Sequence, residues 1–241
     1  MDVNVEFWAR DTKNAVKRGD VVIIIDVLRC SSSIIAALAS GVGGIVPIKT
    51  VREAREVSRI HPEFILSGER KGVKPSGFKY GNSPVAFSKI KLEGAYLILT
   101  TTSGTNALSQ AKEAKHVLVG GFLNAKSIAE TAYNLAIKES EGITLALSGK
   151  KGSFSLEDFL GAGAIIGDLP DEVTLSDAAQ AALLAFRGAK SSLTEVVKQG
   201  NHAKYLVSIG FEEDIRFSTQ LNKYKIIPYL KGEVVIPSKS T

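Results

Sequence analysis

The sequence predicts an α/β fold of three layers, α/β/α, in which helices cover both faces of a mostly parallel or mixed central sheet. Short apolar runs rich in β-branched residues alternate with helix-period segments through most of the chain. Several of those runs lead straight into loops of hydroxyl residues and glycine, as happens where the carboxyl end of a strand faces a ligand. Hydrophobic residues make up 44% of the 241 and charged residues 23%, so there is apolar surface for a sizeable core and too little charge for disorder.

In chain order, residues 21–25, 44–48, 64–66, 96–99, 116–119 and 143–147 read as strands, and residues 31–39, 51–60, 105–114 and 127–137 as helices. The helix starts carry their own signals. Thr50 with Glu53, and Ser155 with Asp158, fit capping boxes, and Ser83 before Pro84 fits an N-cap followed by proline at the first helical position. From about residue 168 the pattern turns helical, over 175–186, 193–198 and 202–209, with Gly210 as a C-cap. Residues 225–230 and 233–236 read as a small hairpin or edge pair around Lys231-Gly232. No linker sets the helical part off, which predicts a single α/β domain over residues 1–241.

One cysteine, Cys30, excludes an internal disulfide and a Cys-rich zinc site, and residues 1–10 lack the apolar core of a signal peptide. A cytoplasmic location is therefore expected. The longest apolar run, residues 21–25, stops at Asp26, far short of the ~18 residues that span a bilayer. No membrane association is expected. Net charge is +5, but the basic residues are scattered without interleaved aromatics, which speaks against nucleic acid and for a small acidic substrate.

The chemistry concentrates in strand-end loops. Asp26-Val27-Leu28-Arg29-Cys30-Ser31-Ser32-Ser33 puts a carboxylate, an arginine and three hydroxyls after an apolar strand. Asp26 can bind a metal or accept a proton, Arg29 can take two anionic oxygens, and Ser31, Ser32 and Ser33 can donate at a helix N-terminus. Capping alone accounts for one hydroxyl of the three. The segment Thr100-Thr101-Thr102-Ser103-Gly104-Thr105 repeats the arrangement, with Gly104 allowing close backbone approach and Thr101, Thr102, Ser103 and Thr105 offering a neutral cradle for phosphate oxygens. Between them a long glycine-rich loop, 67–84, holds Glu69 as a second metal ligand, Arg70 as an anion ligand, and Asn82 and Ser83 as substrate donors. Lys71, Lys74 and Lys79 read as a solvated basic face. In 148–158, Glu157 is within reach of a metal and Asp158 reads as a capping acid; Lys150 and Lys151 stand outside any Walker spacing.

Spacing excludes other mechanisms. Ala36 stands where a tyrosine phosphatase would need arginine after Cys30, and Leu28 where a phospho-aspartate enzyme would need a second aspartate after Asp26. No Gly-x-Ser-x-Gly elbow occurs. His61, His116 and His202 lie outside the rich loops and read as surface or packing residues.

Taken together, Asp26-Val27-Leu28-Arg29 with its serines, Gly68-Glu69-Arg70, Gly77-Phe78-Lys79-Tyr80-Gly81-Asn82-Ser83-Pro84 and residues 100–105 closely resemble the 2-phosphosulfolactate phosphatase family of coenzyme M biosynthesis. The similarity continues through Leu156-Glu157-Asp158-Phe159 and into residues 202–214, with departures at Cys30 and Ser103 that remove no group the chemistry requires. The resemblance implies a magnesium-dependent α/β/α hydrolase converting 2-phospho-3-sulfolactate and water to 3-sulfolactate and phosphate. On that reading Asp26 and Glu69, with Glu157, hold Mg²⁺ directly or through water, while Arg29 and Arg70 neutralise substrate charge. The expected partner is a small anionic phosphorylated substrate, with room for a homodimer. Two alternatives stay open: a phosphatase for another small phosphorylated 2-hydroxy acid, and a non-catalytic binder of acidic metabolites. Against the second, bare carboxylates in an anion pocket repel the ligand unless a cation bridges them.

Overall fold

The computed structural model describes residues 1–149 and 152–238. In chain order the elements are β1 (Asp2–Glu6), α1 (Thr12–Arg18), β2 (Val21–Ile25), α2 (Cys30–Ala39), β3 (Gly44–Ile48), α3 (Val51–Ile60), β4 (Ile65–Gly68), α4 (Pro84–Lys89), β5 (Tyr96–Thr100), α5 (Gly104–Gln110) and β6 (Val117–Gly120). There follow α6 (Ala125–Glu139), β7 (Ile143–Leu147), α7 (Leu156–Ile166), β8 (Thr174–Leu175), α8 (Asp177–Ala189), α9 (Leu193–Lys198), α10 (Asn201–Ser208), α11 (Glu212–Ser218), β9 (Ile227–Lys231) and β10 (Val234–Ser238). The α/β class and the mixed sheet hold. Thr50 and Glu53 form the full capping box of α3, and Ser83 caps α4 ahead of Pro84.

The strands make one ten-stranded sheet in the order β4-β5-β3-β10-β9-β6-β2-β7-β1-β8. β4, β5 and β3 form one parallel wing, and β6, β2, β7, β1 and β8 the other. The hairpin β9–β10 sits between them and is antiparallel to both neighbours. The expected hairpin forms, but inside the sheet and not at its edge. The hairpin carries Pro228 and Pro237, directly opposed in register, and proline removes a ladder donor, which locally argues for an edge. Here the effect appears as thin pairing, one bridge to each wing, Val235 with Ile45 and Tyr229 with Leu118.

Three antiparallel steps separate β3 from β6, so the two wings run in opposite directions. In a flat sheet their carboxyl ends would lie on opposite edges. Strand twist of roughly 20–25° per step accumulates across the hairpin, and residues that follow strands of both wings line one cavity. Both wings consequently pack on the same helices. Val22 and Ile24 of β2 share a core with Ile45, Leu97 and Leu99 of the other wing and with Ile34 and Ile35 of α2. The alternate β2 residues, Ile23 and Ile25, join a second core with α6, α7 and α8. β2 is thus buried on both faces, which explains its unbroken apolar run.

Several elements depart from the local pattern, with α1, β8 and α11 absent from it. β1 is missed by periodicity, although Val3 and Val5 alternate into the core. The helix expected over 105–114 ends at Gln110, where the Ala111 amide donates to the Ala107 and Leu108 carbonyls together and tightens the last turn.

Gly68 ends β4 at φ 139°, and a Cβ there would lie 2.1 Å from the Thr100 carbonyl oxygen. Gly77 also has positive φ, 80°, but opens onto empty space. Gly68→Ala should therefore cost more than about 3 kcal/mol, and Gly77→Ala about 1 kcal/mol, in urea unfolding at constant m; equal losses would contradict the packing at Gly68.

A carboxylate-lined candidate active site

A cavity of about 330 Å³ opens where the two sets of strand ends meet. It is lined by Asp26, Leu28, Arg29, Glu69, Lys71, Gly72, Asn82, Thr101, Thr102, Ser103, Gly149, Asp158, His202, Tyr205 and Leu206. Asp26 follows β2, Glu69 follows β4, residues 101–103 follow β5, and Gly149 follows β7.

The wings touch at α5. A Cβ on Gly104 would lie 2.5 Å from Cys30 Cβ and 2.8 Å from Asp26 Oδ2, so only glycine allows the first turn of α5 to rest against the β2–α2 corner. Thr101 and Thr105 bond one another's amides across that turn. The amides of Ser103 and Gly104 donate to no protein group among the described residues, and Ser103 faces the cavity.

Asp26 accepts the Cys30 amide on Oδ1 at 3.1 Å, and its own amide donates to Ser31 Oγ at 2.9 Å. Ser32 Oγ donates to the Val27 carbonyl and Ser33 Oγ to the Asn82 carbonyl. All three serines are buried behind the cavity wall, which corrects their reading as ligand donors. The start of α2 is buried, and each hydroxyl there must meet a protein partner.

Glu69 binds with both oxygens. Oε1 accepts from the Thr102 amide at 2.7 Å and its hydroxyl at 2.8 Å, and Oε2 accepts from the Gly72 amide at 2.7 Å. Arg70 points away from the cavity, donating to the Lys49 carbonyl and Thr100 Oγ1, so it is not among the substrate-facing groups. Lys71, expected in solvent, stands on the cavity wall instead.

Arg29 is buried with Asp214. Its Nη1 donates to Asp214 Oδ2 at 2.7 Å, its Nη2 to the Gly72 carbonyl at 2.6 Å, and the guanidinium lies 4.2 Å over the Phe211 ring. Ser83 Oγ holds the other Asp214 oxygen at 2.5 Å, so Ser83 supports the arginine from outside the cavity. Asn82 lines the cavity, and its Oδ1 is buried without a partner among the described residues.

Helices α7 and α10 add groups that local reading places elsewhere. Asp158 takes the Val27 amide on Oδ1 at 2.8 Å and the Gly149 amide on Oδ2 at 3.2 Å. Its side chain straps β2 to β7, leaving only half of the expected capping box, Asp158 N to Ser155 Oγ. His202, expected as a surface or packing residue, lines the cavity with Nδ1 3.2 Å from Glu157 Oε1. Glu157 lies beneath it, buried and off the cavity wall. Lys150 and Lys151 fall outside the described residues.

Burial above all, with Glu69 and Glu157 adding negative potential against the opposing pull of His202 and the Cys30 amide, lifts Asp26 from 3.8 to about 6. Burial, then the charges of Asp26 and Glu157, pushes Asp158 well above the usual carboxylate range. Burial and Asp26 likewise raise the Cys30 thiol, which keeps it a poor nucleophile.

Among the described residues no three acidic, histidine or cysteine side chains converge as a preformed metal cage. Glu69 and Asp158 have both oxygens engaged, and Glu157 is turned to His202. Of the expected ligands Asp26, Glu69 and Glu157, the first two face the cavity, and Asp26 Oδ2 has no protein partner among the described residues. One carboxylate completed by water and substrate oxygens is an ordinary environment for Mg²⁺, and these residues could hold it in that way.

With its folded-state pKa above the unfolded one, Asp26 contributes stability at acid pH that is lost as pH rises through about 6. Asp26→Asn should melt roughly 3–6 °C higher than the parent at pH 8, with the gap closing below pH about 6. A gap that does not change with pH would refute the assigned charge burial.

The family described as 2-phosphosulpholactate phosphatase matches residues 8–233. A protein of Thermotoga maritima named probable 2-phosphosulfolactate phosphatase is 39% identical over 214 residues, 89% of this chain and 90% of that one. Proteins of the same name from Carboxydothermus hydrogenoformans and Clostridium acetobutylicum are 34% and 32% identical, covering 99% and 98% of this chain and 98% and 100% of their own. With strand-end loops, cavity and full-length similarity in agreement, the chain belongs to the 2-phosphosulfolactate phosphatase family of phosphoric monoester hydrolases.

Proposed function

We propose that the chain hydrolyses 2-phospho-3-sulfolactate to 3-sulfolactate and inorganic phosphate with Mg²⁺ as cofactor, a step that would serve coenzyme M biosynthesis. The observation that carries this reading is the free Asp26 Oδ2 in the same cavity as Arg29, Lys71 and the open amides beside Ser103. A carboxylate there repels a polyanion unless a cation joins them. Asp26 would hold the ion, and Mg²⁺ when bound supplies charge neutralisation at the phosphoryl oxygens.

The remaining groups divide by chemistry. The amides of Ser103 and Gly104 suit phosphoryl oxygens at the start of α5. Arg29 has five N–H donors and uses two on protein acceptors, so others remain for a carboxylate or sulfonate, with Lys71 and Asn82 beside them. Water is the nucleophile.

Phosphate release from 2-phospho-3-sulfolactate, phospholactate and phosphoglycolate, each with Mg²⁺ or EDTA, tests this reading. The sulfonate-bearing substrate should exceed the others by roughly 10-fold or more in kcat/KM, as one added charge-assisted contact predicts. EDTA should stop turnover, and Asp26→Asn should lower kcat by roughly 100-fold or more. The proposal is sunk by a parent that releases no phosphate with Mg²⁺, or by Asp26→Asn with full, Mg²⁺-dependent activity.

A further inference from the structure

Hydrolysis of an alkyl phosphate leaves a strongly basic alkoxide, which departs far more easily if a proton reaches it as the P–O bond breaks. The donor must face the cavity and carry a proton near neutrality. Of the carboxyls facing the cavity, Glu69 and Asp158 have both oxygens held by backbone amides, and Asp26 is the residue given to the metal ion. Arg29 is committed to Asp214 and the Gly72 carbonyl, and imidazole is the side-chain type suited to proton transfer near neutrality.

We infer that His202 is a catalytic residue of this site, the general acid that protonates the leaving oxygen, and that Glu157 is its positioning residue. His202 stands on the first turn of α10 with its side chain 24% exposed at the cavity wall, while the Glu157 side chain beneath is 2% exposed. The Nδ1 to Oε1 contact of 3.2 Å fixes Nδ1–H toward the carboxylate and leaves Nε2, which has no protein partner among the described residues, to carry the transferable proton. A buried carboxylate under an exposed imidazole is the arrangement that orients an acid–base histidine and stabilises its charged form.

The inference rests on the phosphatase reading. As the bond between phosphorus and the 2-oxygen breaks, its electron pair stays on that oxygen and the Nε2 proton moves to it. The oxygen of water forms the new bond to phosphorus, and the proton that water loses passes to solvent, from which the imidazole is recharged. The products are 3-sulfolactate with a neutral hydroxyl and inorganic phosphate.

The test compares two leaving groups. His202→Asn should lower kcat on 2-phospho-3-sulfolactate by roughly 100-fold or more, with KM little changed. On p-nitrophenyl phosphate, whose phenolate leaves without a proton, it should lose less than about 3-fold. Glu157→Gln, read on 2-phospho-3-sulfolactate alone, should move the alkaline limb of the kcat profile to lower pH, because the imidazolium loses its carboxylate. Equal losses on both substrates, full activity of His202→Asn on the sulfolactate, or an unmoved alkaline limb in Glu157→Gln overturns the role of His202. A parent inactive on both substrates instead removes the phosphatase reading itself.

Discussion

The close approach of Gly104 to Cys30 and Asp26 joins two sheet wings that run in opposite directions, and the cavity exists because that contact closes. Neither wing alone would assemble the site, since Asp26 belongs to one, and Glu69 with the Thr101–Ser103 turn to the other. The joint demands small groups at the contact and an interior element between the wings. α2 meets the second demand by being buried from Cys30 to Leu38. A helix start so enclosed has no water for its polar groups, and Ser31, Ser32 and Ser33 answer this by bonding backbone atoms of β2, the following loop and Asn82.

The same enclosure sorts the carboxylates. Glu69 ties the loop after β4 to the turn after β5, and Asp158 ties the loop after β2 to the one after β7. Each wing thus has its own acidic strap, held by two or more donors. Asp26 is treated differently: one oxygen takes an amide, and the other is left against α5. Its elevated titration follows from burial among like charges, a local destabilisation of the kind that functional sites retain.

Much of this is legible locally. The apolar strands 21–25, 44–48 and 143–147 match to the residue, and the α3 and α4 caps follow from side-chain chemistry within three residues. Asp26, Arg29, Glu69, Asn82, Thr101, Thr102 and Ser103 do reach the cavity wall. What local pattern does not carry is the partner of each polar group. Asp214 lies 185 residues from Arg29 and His202 lies 45 from Glu157, and no periodicity links them. For the same reason the amides that hold Glu69 and the imidazole beside Glu157 are not legible from local pattern. The prolines of the last hairpin favour an edge by local rule, and only the sheet order places them at the centre.

The helical C-terminal part meets the loop after β4 at Gly72 and its neighbour Lys71. The Gly72 amide is held by Glu69 and its carbonyl by Arg29, while a Cβ on Gly72 would lie 2.6 Å from Ile209 Cδ1. Tyr205 donates to the neighbouring Lys71 carbonyl at 2.9 Å, and Lys71 itself adopts a left-handed φ of 51°. The loop after β4 is therefore clamped by an acid of its own wing, an arginine of the other, and the α10 face that also carries His202. Displacing α10 would loosen the clamp and withdraw the imidazole together. In this geometry the segment after residue 168 is the fourth wall of the site, and the cationic and acidic sides of the cavity are held in register by the backbone between them.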